Sequence, residues 1–191
     1  VLGIILGILV AVVRTTHDQQ RPGCRNPILG VLNTICQVYT TVIRGTPIMV
    51  QLLIMYFVIF ASTRNQIGVA MLTFGINSGA YVSEIIRGGI MSIDRGQMEA
   101  GRSLGLPYAS TMRFIIIPQA VKNILPALGN ELITLLKDTS VVTVIGLRDL
   151  TKAAQLVQGK TYQAFMPYVG IAAMYLAMVM ILSGLMGIVE R

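Results

Sequence analysis

Apolar residues run almost unbroken from Val1 to Val13 and stop at Arg14. The run is shorter than the roughly 20 residues an α-helix needs to cross a bilayer, so it reads as the tail of a longer first span whose start is missing. Residues 14–27, with Arg21, Pro22, Gly23 and Arg25, read as a loop. From Ile28 the period becomes helical. Ile28, Val31, Leu32, Ile35, Val38, Tyr39 and Val42 share one stripe, while Asn33, Gln37, Thr40 and Thr41 lie off it. This predicts an amphipathic helix, at the membrane surface or packed on other helices. Arg44-Gly45-Thr46-Pro47 interrupts it, since proline can begin a helix but sits badly inside one. Residues 48–61 form a second apolar span and 62–66 a polar turn. The third span, Ile67–Ile86, is rich in small residues that let helix backbones approach closely in lipid. Residues 87–113 are the longest polar stretch. Phe114–Leu136 is a fourth apolar stretch, broken by Pro118 and Pro126. Residues 137–165 are mixed, with 141–147 a short re-entrant candidate, and Met166–Val189 is the fifth span, ending at Glu190-Arg191.

Composition fits this reading. Of 191 residues, 54% are hydrophobic and 12% charged. Soluble domains carry roughly 25% charged residues, so this chain cannot cover a soluble surface of its size. Cytosolic enzymes, disordered chains and disulfide scaffolds are excluded. What remains is an all-α membrane protein of about five transmembrane helices, forming one transmembrane domain over residues 1–191. The net charge of +7 is read as topology rather than nucleic-acid binding, because no basic stripe is interleaved with aromatics. With residues 14–27, 87–113 and the C-terminus on one side, and Arg44 and Lys122 counted at the mouths of their spans on that side, it holds ten Lys and Arg against five. The first side is therefore cytoplasmic. Cys24 and Cys36 have no metal-ligand spacing and read as plain thiols. A chain opening on Val1, without a charged n-region, does not read as a signal peptide.

The long polar loop carries the most specific pattern. Glu99-Ala100-Gly101 is followed by three residues, Gly105, nine residues, and Ile115-Ile116-Ile117-Pro118. This resembles the EAA loop of binding-protein-dependent ABC importer permeases (E-A-A, three residues, G, nine residues, I-x-L-P), with Gly101 for the third Ala and Ile117 for Leu. Three further segments are similar to the polar amino-acid subfamily, the histidine, glutamine and arginine type. They are Arg44-Gly45-Thr46-Pro47 with Val50-Gln51; Asn77-Ser78-Gly79-Ala80-Tyr81 with Glu84 and Arg87-Gly88-Gly89-Ile90; and Leu136-Lys137-Asp138-Thr139-Ser140. The resemblance runs from about residue 44 to the C-terminus.

The resemblance implies the ABC importer type I permease fold, in the bacterial cytoplasmic (inner) membrane, with residues 88–118 as the cytoplasmic coupling loop. It implies an ATP-binding subunit docked on Glu99, Ala100, Gly101, Leu104, Gly105 and Pro107. A second permease subunit, identical or homologous, and an extracytoplasmic substrate-binding protein complete the implied assembly. The residues themselves support a compact helix-turn-helix here: Met98–Leu104 has a short helical pattern, Gly105 permits a sharp turn and Pro107 suits the start of the next helix. No G-x-x-x-x-G-K-[ST] phosphate loop occurs, so no cofactor is expected on this chain and ATP is expected to be used by the partner.

Polar positions inside the spans are the candidate substrate path. Thr73, Asn77, Tyr81 and Glu84 share a face of the third span, next to Ser78. Glu131, Thr134 and Asp138, followed by Thr139, do the same on the fourth. Ionisable groups at membrane depth are costly and face a cavity or a partner. Two readings stay open: a polar path whose carboxylates attract an amino-acid ammonium, or hydrogen bonding between helices. Two rival functions are an ion-coupled secondary amino-acid transporter, which internal repeats would support, and a membrane-embedded enzyme, which a His, Cys or Asp cluster would support. The sequence shows neither feature.

Overall fold

The structure is a computed structural model and describes residues 1–18 and 27–189. The predicted loop residues Arg21, Pro22, Gly23, Cys24 and Arg25, and the terminal Glu190-Arg191, lie outside the described residues. All elements among the described residues are helical. In chain order they are α1 (Leu2–Asp18), α2 (Pro27–Gly45), α3 (Ile48–Ile54), α4 (Gln66–Met91), α5 (Arg95–Ser103), α6 (Tyr108–Thr111), α7 (Ile117–Asp138), α8 (Leu150–Thr161) and α9 (Phe165–Val189). π-helical turns extend α3 over Met55–Ile59 and join α6 to α7 over Met112–Ile116, and a 3₁₀ segment, Thr139–Ile145, follows α7.

Two helices, α4 and α9, are long and apolar enough on their own to cross a membrane, and α2 with α3 makes a third candidate bent by 106°. The 17-residue α1 and the more polar α7 fall outside that measure. α9 is apolar on all sides and little of it is covered, as suits a helix facing lipid tails.

Small residues decide the packing of α1 on α4. Each helix carries a G-x-x-x-G pair, Gly3 and Gly7 on α1 and Gly75 and Gly79 on α4. A Cβ at Gly7 would lie 2.5 Å from Val82 Cγ1, and one at Gly79 would lie 2.9 Å from Leu6 Cδ2. The backbones approach closely because those Cβ atoms are missing. In lipid this contact is held by dispersion rather than by a hydrophobic drive. A separate core joins α3, α4 and the 3₁₀ segment through Leu52, Ala70, Val142 and Ile145.

Several predicted boundaries shift. α1 runs past Arg14 to Asp18, because Arg14 finds partners on α2 and α4. The mixed stretch 137–165 contains the 3₁₀ segment and an unforeseen helix, α8, whose N-cap Asp149 accepts from Lys152 N–H at 2.8 Å. Pro118 and Pro126 do not break α7. Pro118 falls in the first turn of α7, where its missing N–H would have had no partner within α7.

Candidate functional site

The break between α2 and α3 creates the site. α2 stops at Gly45, Pro47 caps α3 in an extended conformation, and the two axes diverge by 106°. The opened corner faces α4 and α7 around a cavity of about 390 Å³. Its wall at the break is Arg44 to Ile48. α4 contributes Asn77 and Tyr81, and α7 contributes Glu131, Thr134 and Asp138. Asn77 and Tyr81 meet one face of the cavity because they are four apart on a helix, and Glu131, Thr134 and Asp138 share a face for the same reason. The Arg44 guanidinium lies over the Tyr81 ring, 5.3 Å from its centroid. The cavity thus holds one cation, on α2, facing two carboxyl groups, both on α7, a charge pattern matching a zwitterion.

The structure sorts the candidate path residues. Asn77, Tyr81, Glu131 and Asp138 come together in this cavity, and Thr134 joins them. Ser78 is buried and lines a neighbouring, mainly apolar cavity of about 780 Å³ with Thr139. The Thr139 hydroxyl donates to the Leu136 carbonyl at 2.6 Å. Glu84 does not line the polar cavity. One carboxylate oxygen pairs with Arg14 of α1, and the other accepts from Arg87 Nε at 3.2 Å and Nη2 at 3.1 Å. Arg87 also bonds Asp18 at 3.2 Å, so this network joins the C-terminal ends of α1 and α4. It sets residues 14–18 beside 84–87, in line with placing both flanking loops on one side.

The sequence puts Arg44 at the cytoplasmic mouth of a span. In the structure it lies at the α2–α3 break over Tyr81, three residues before Glu84 on α4. Gln51, which the sequence reading places in a motif but not among the site residues, lies at the break. Its amide bridges the break to Asn77. The Arg44-to-Gln51 motif is the available signal, but only the bend reveals what its residues face.

The loop after α4 is built from local signals. Asp94 caps α5 by accepting from Gly96 N–H at 2.7 Å. At the other end, Gly105 (φ +85°) gives its N–H to the Arg102 carbonyl at 3.0 Å, and Leu106 N–H reaches the Gly101 carbonyl at 3.1 Å. This Schellman arrangement closes the helix. Pro107 then starts α6 at its N-cap. Gly101, the departure from the E-A-A pattern, is buried against α6, where a Cβ would lie 2.6 Å from Thr111 Cγ2. Glu99, Ala100 and Leu104 point outward, Leu104 with 82% of its surface exposed. α5 and its C-cap Leu104 thus leave an acid, a small residue and an uncovered leucine on their outer surface.

Comparison with known proteins agrees with this geometry. Residues 3–191 match the family described as binding-protein-dependent transport system inner membrane component. The chain is 39% identical to the putative glutamine transport system permease protein GlnP of Rickettsia typhi, over 100% of this chain and 84% of that protein. It is 40% identical to the arginine transport system permease protein ArtQ of Bacillus subtilis, with the same coverage. A solved amino acid ABC transporter with histidines superposes with a TM-score of 0.84 at 42% identity, covering 100% of this chain and 86% of that one. This sets aside the ion-coupled secondary transporter. The chain belongs to the family of binding-protein-dependent transport system inner membrane components: it is a multi-pass permease of the ABC importer type.

Proposed function

We propose that this permease carries polar amino acids inward through the cavity between the α2–α3 break, α4 and α7. The observation that carries the reading is the placing of Arg44 opposite Glu131 and Asp138 in one cavity of about 390 Å³. Arg44 takes the substrate α-carboxylate, and the two carboxylates take the α-ammonium or a cationic side chain. Tyr81, beneath the guanidinium, fixes its height, and Asn77 adds a neutral donor and acceptor. Relatives named for glutamine and arginine transport support this substrate class.

The energy comes from a separate ATP-binding subunit seated on the α5 loop. Glu99 is its polar anchor, and Ala100 and Leu104 form the apolar contact. Gly101, Gly105 and Pro107 hold the loop in shape. α4 leads into α5 through only Ser92, Ile93 and Asp94, so a push on α5 reaches Tyr81 along a continuous helix. Residues 88–118 act as the coupling segment within a single transmembrane domain. A second permease subunit and an extracytoplasmic substrate-binding protein complete the assembly. The chain itself holds no cofactor, and no ATP chemistry takes place on it. The deciding experiment is ATP hydrolysis by the reconstituted complex, screened over the twenty amino acids. Stimulation confined to polar amino acids is expected, and stimulation by none of them rejects the reading.

A further inference from the structure

The wall of the cavity that carries Arg44 is a helix break, and backbone bonds alone do not hold it. A helix end leaves up to four carbonyls without intrahelical partners. At the end of α2 the Gln51 side chain takes up that of Ile43, and that of Thr46 just beyond the helix. Its Nε2 donates to the Ile43 carbonyl at 2.7 Å, the Thr46 carbonyl at 3.0 Å and Thr46 Oγ1 at 2.8 Å, two N–H bonds shared among three acceptors. Its Oε1 accepts from Asn77 Nδ2 at 3.0 Å. Both faces of the amide are therefore engaged, on the end of α2 and the middle of α4, while its backbone belongs to α3. Gln51 does not line the polar cavity. With Ile43, Thr46 and Thr73 it lines an adjoining, mainly apolar space of about 240 Å³.

Arg44 sits next to Ile43 and two residues before Thr46, the anchors of this amide. Among the described residues it has no carboxylate within ion-pair distance, and its guanidinium rests on the Tyr81 ring. A ring face sets a distance but not the direction from which the side chain enters the cavity. We propose that Gln51 is a positioning residue for transport: its amide sets the angle of the α2–α3 break and so holds Arg44 where a substrate carboxylate meets it. The inference rests on the cavity reading above. Leucine at 51 has nearly the same bulk and none of the hydrogen bonds. The break is then free to relax into the 240 Å³ space and take Arg44 with it.

The test is a double-mutant cycle on the complete transporter in proteoliposomes, with uptake of labelled arginine and glutamine as the readout. R44A and Q51L each raise KM tenfold or more, with kcat changing much less. The R44A/Q51L double variant is no worse than R44A alone, because Gln51 acts through Arg44. If the two fold-changes instead multiply, the positioning role is overturned while the cavity reading stands. An R44A transporter with wild-type KM overturns both. Should Q51L fail to insert, Q51E runs the same cycle. It keeps the acceptor toward Asn77 Nδ2 and loses both donors to the end of α2, and the same outcomes decide.

Discussion

Replacing Glu84 by Gln removes one negative charge from a network of four ionic side chains. The side chains of Arg14 and Glu84 are 13% and 17% exposed, those of Arg87 and Asp18 30% and 31%. The substituted amide can still accept one hydrogen bond but cannot compensate two guanidinium groups. Asp18 is then the network's remaining anion, and it reaches Arg87 rather than Arg14. Breaking a fully buried pair costs about 3–5 kcal/mol. With this much exposure, water recovers part of that, leaving a loss of about 2 kcal/mol. For a chain of this size that lowers the melting temperature by about 4–8 °C. Thermal unfolding of the purified complex in detergent measures it, alongside uptake KM in proteoliposomes. The expected result for Glu84→Gln is lower stability and an unchanged KM. An Arg14→Gln/Glu84→Gln double variant should lose less than the sum of the single variants, because the two groups interact directly. A tenfold rise in KM with an unchanged melting temperature would refute the reasoning and put Glu84 against the substrate.

Three more outcomes are expected. Gly105→Ala places a Cβ at φ +85° with no atom near it, so the cost is backbone strain alone, about 1–2 kcal/mol. Gly105→Asn should cost less, because asparagine tolerates the left-handed region, and thermal unfolding of the two variants gives the order. Glu99→Lys reverses a charge on the exposed face of α5, so transport and co-purification of the ATPase should both fall while membrane insertion holds; normal uptake removes Glu99 from coupling. In a chain without Cys24 and Cys36, an impermeant thiol reagent should label cysteine at Gln97 only from the cytoplasm and cysteine at Lys160 only from outside. Labelling of both from one side breaks the assigned topology.

The sequence by itself determined whatever depends on near neighbours. The α5 loop is the clearest case. Asp94, Gly105 and Pro107 each act within a few residues, on a cap, a left-handed turn and a helix start, so the loop's shape could be read from their spacing. The helical period placed α2, and unbroken apolar length placed α4 and α9, because both are local properties of the chain. The faces bearing Asn77 and Tyr81, and Glu131 and Asp138, were legible for the same reason. α8 was not, since its apolar pattern is weak and its start depends on one cap at Asp149. Only the tertiary structure decided which face meets which. Glu84 shares a helical face with Tyr81, yet its partner Arg14 lies 70 residues away, and that pairing takes it out of the cavity. The placing of Arg44 over Tyr81 at a 106° bend likewise depends on how α2 and α3 pack on α4. The polar cavity forms where the α2–α3 break meets α4 and α7, and which helices meet there depends on contacts distant in the chain, which no local rule encodes.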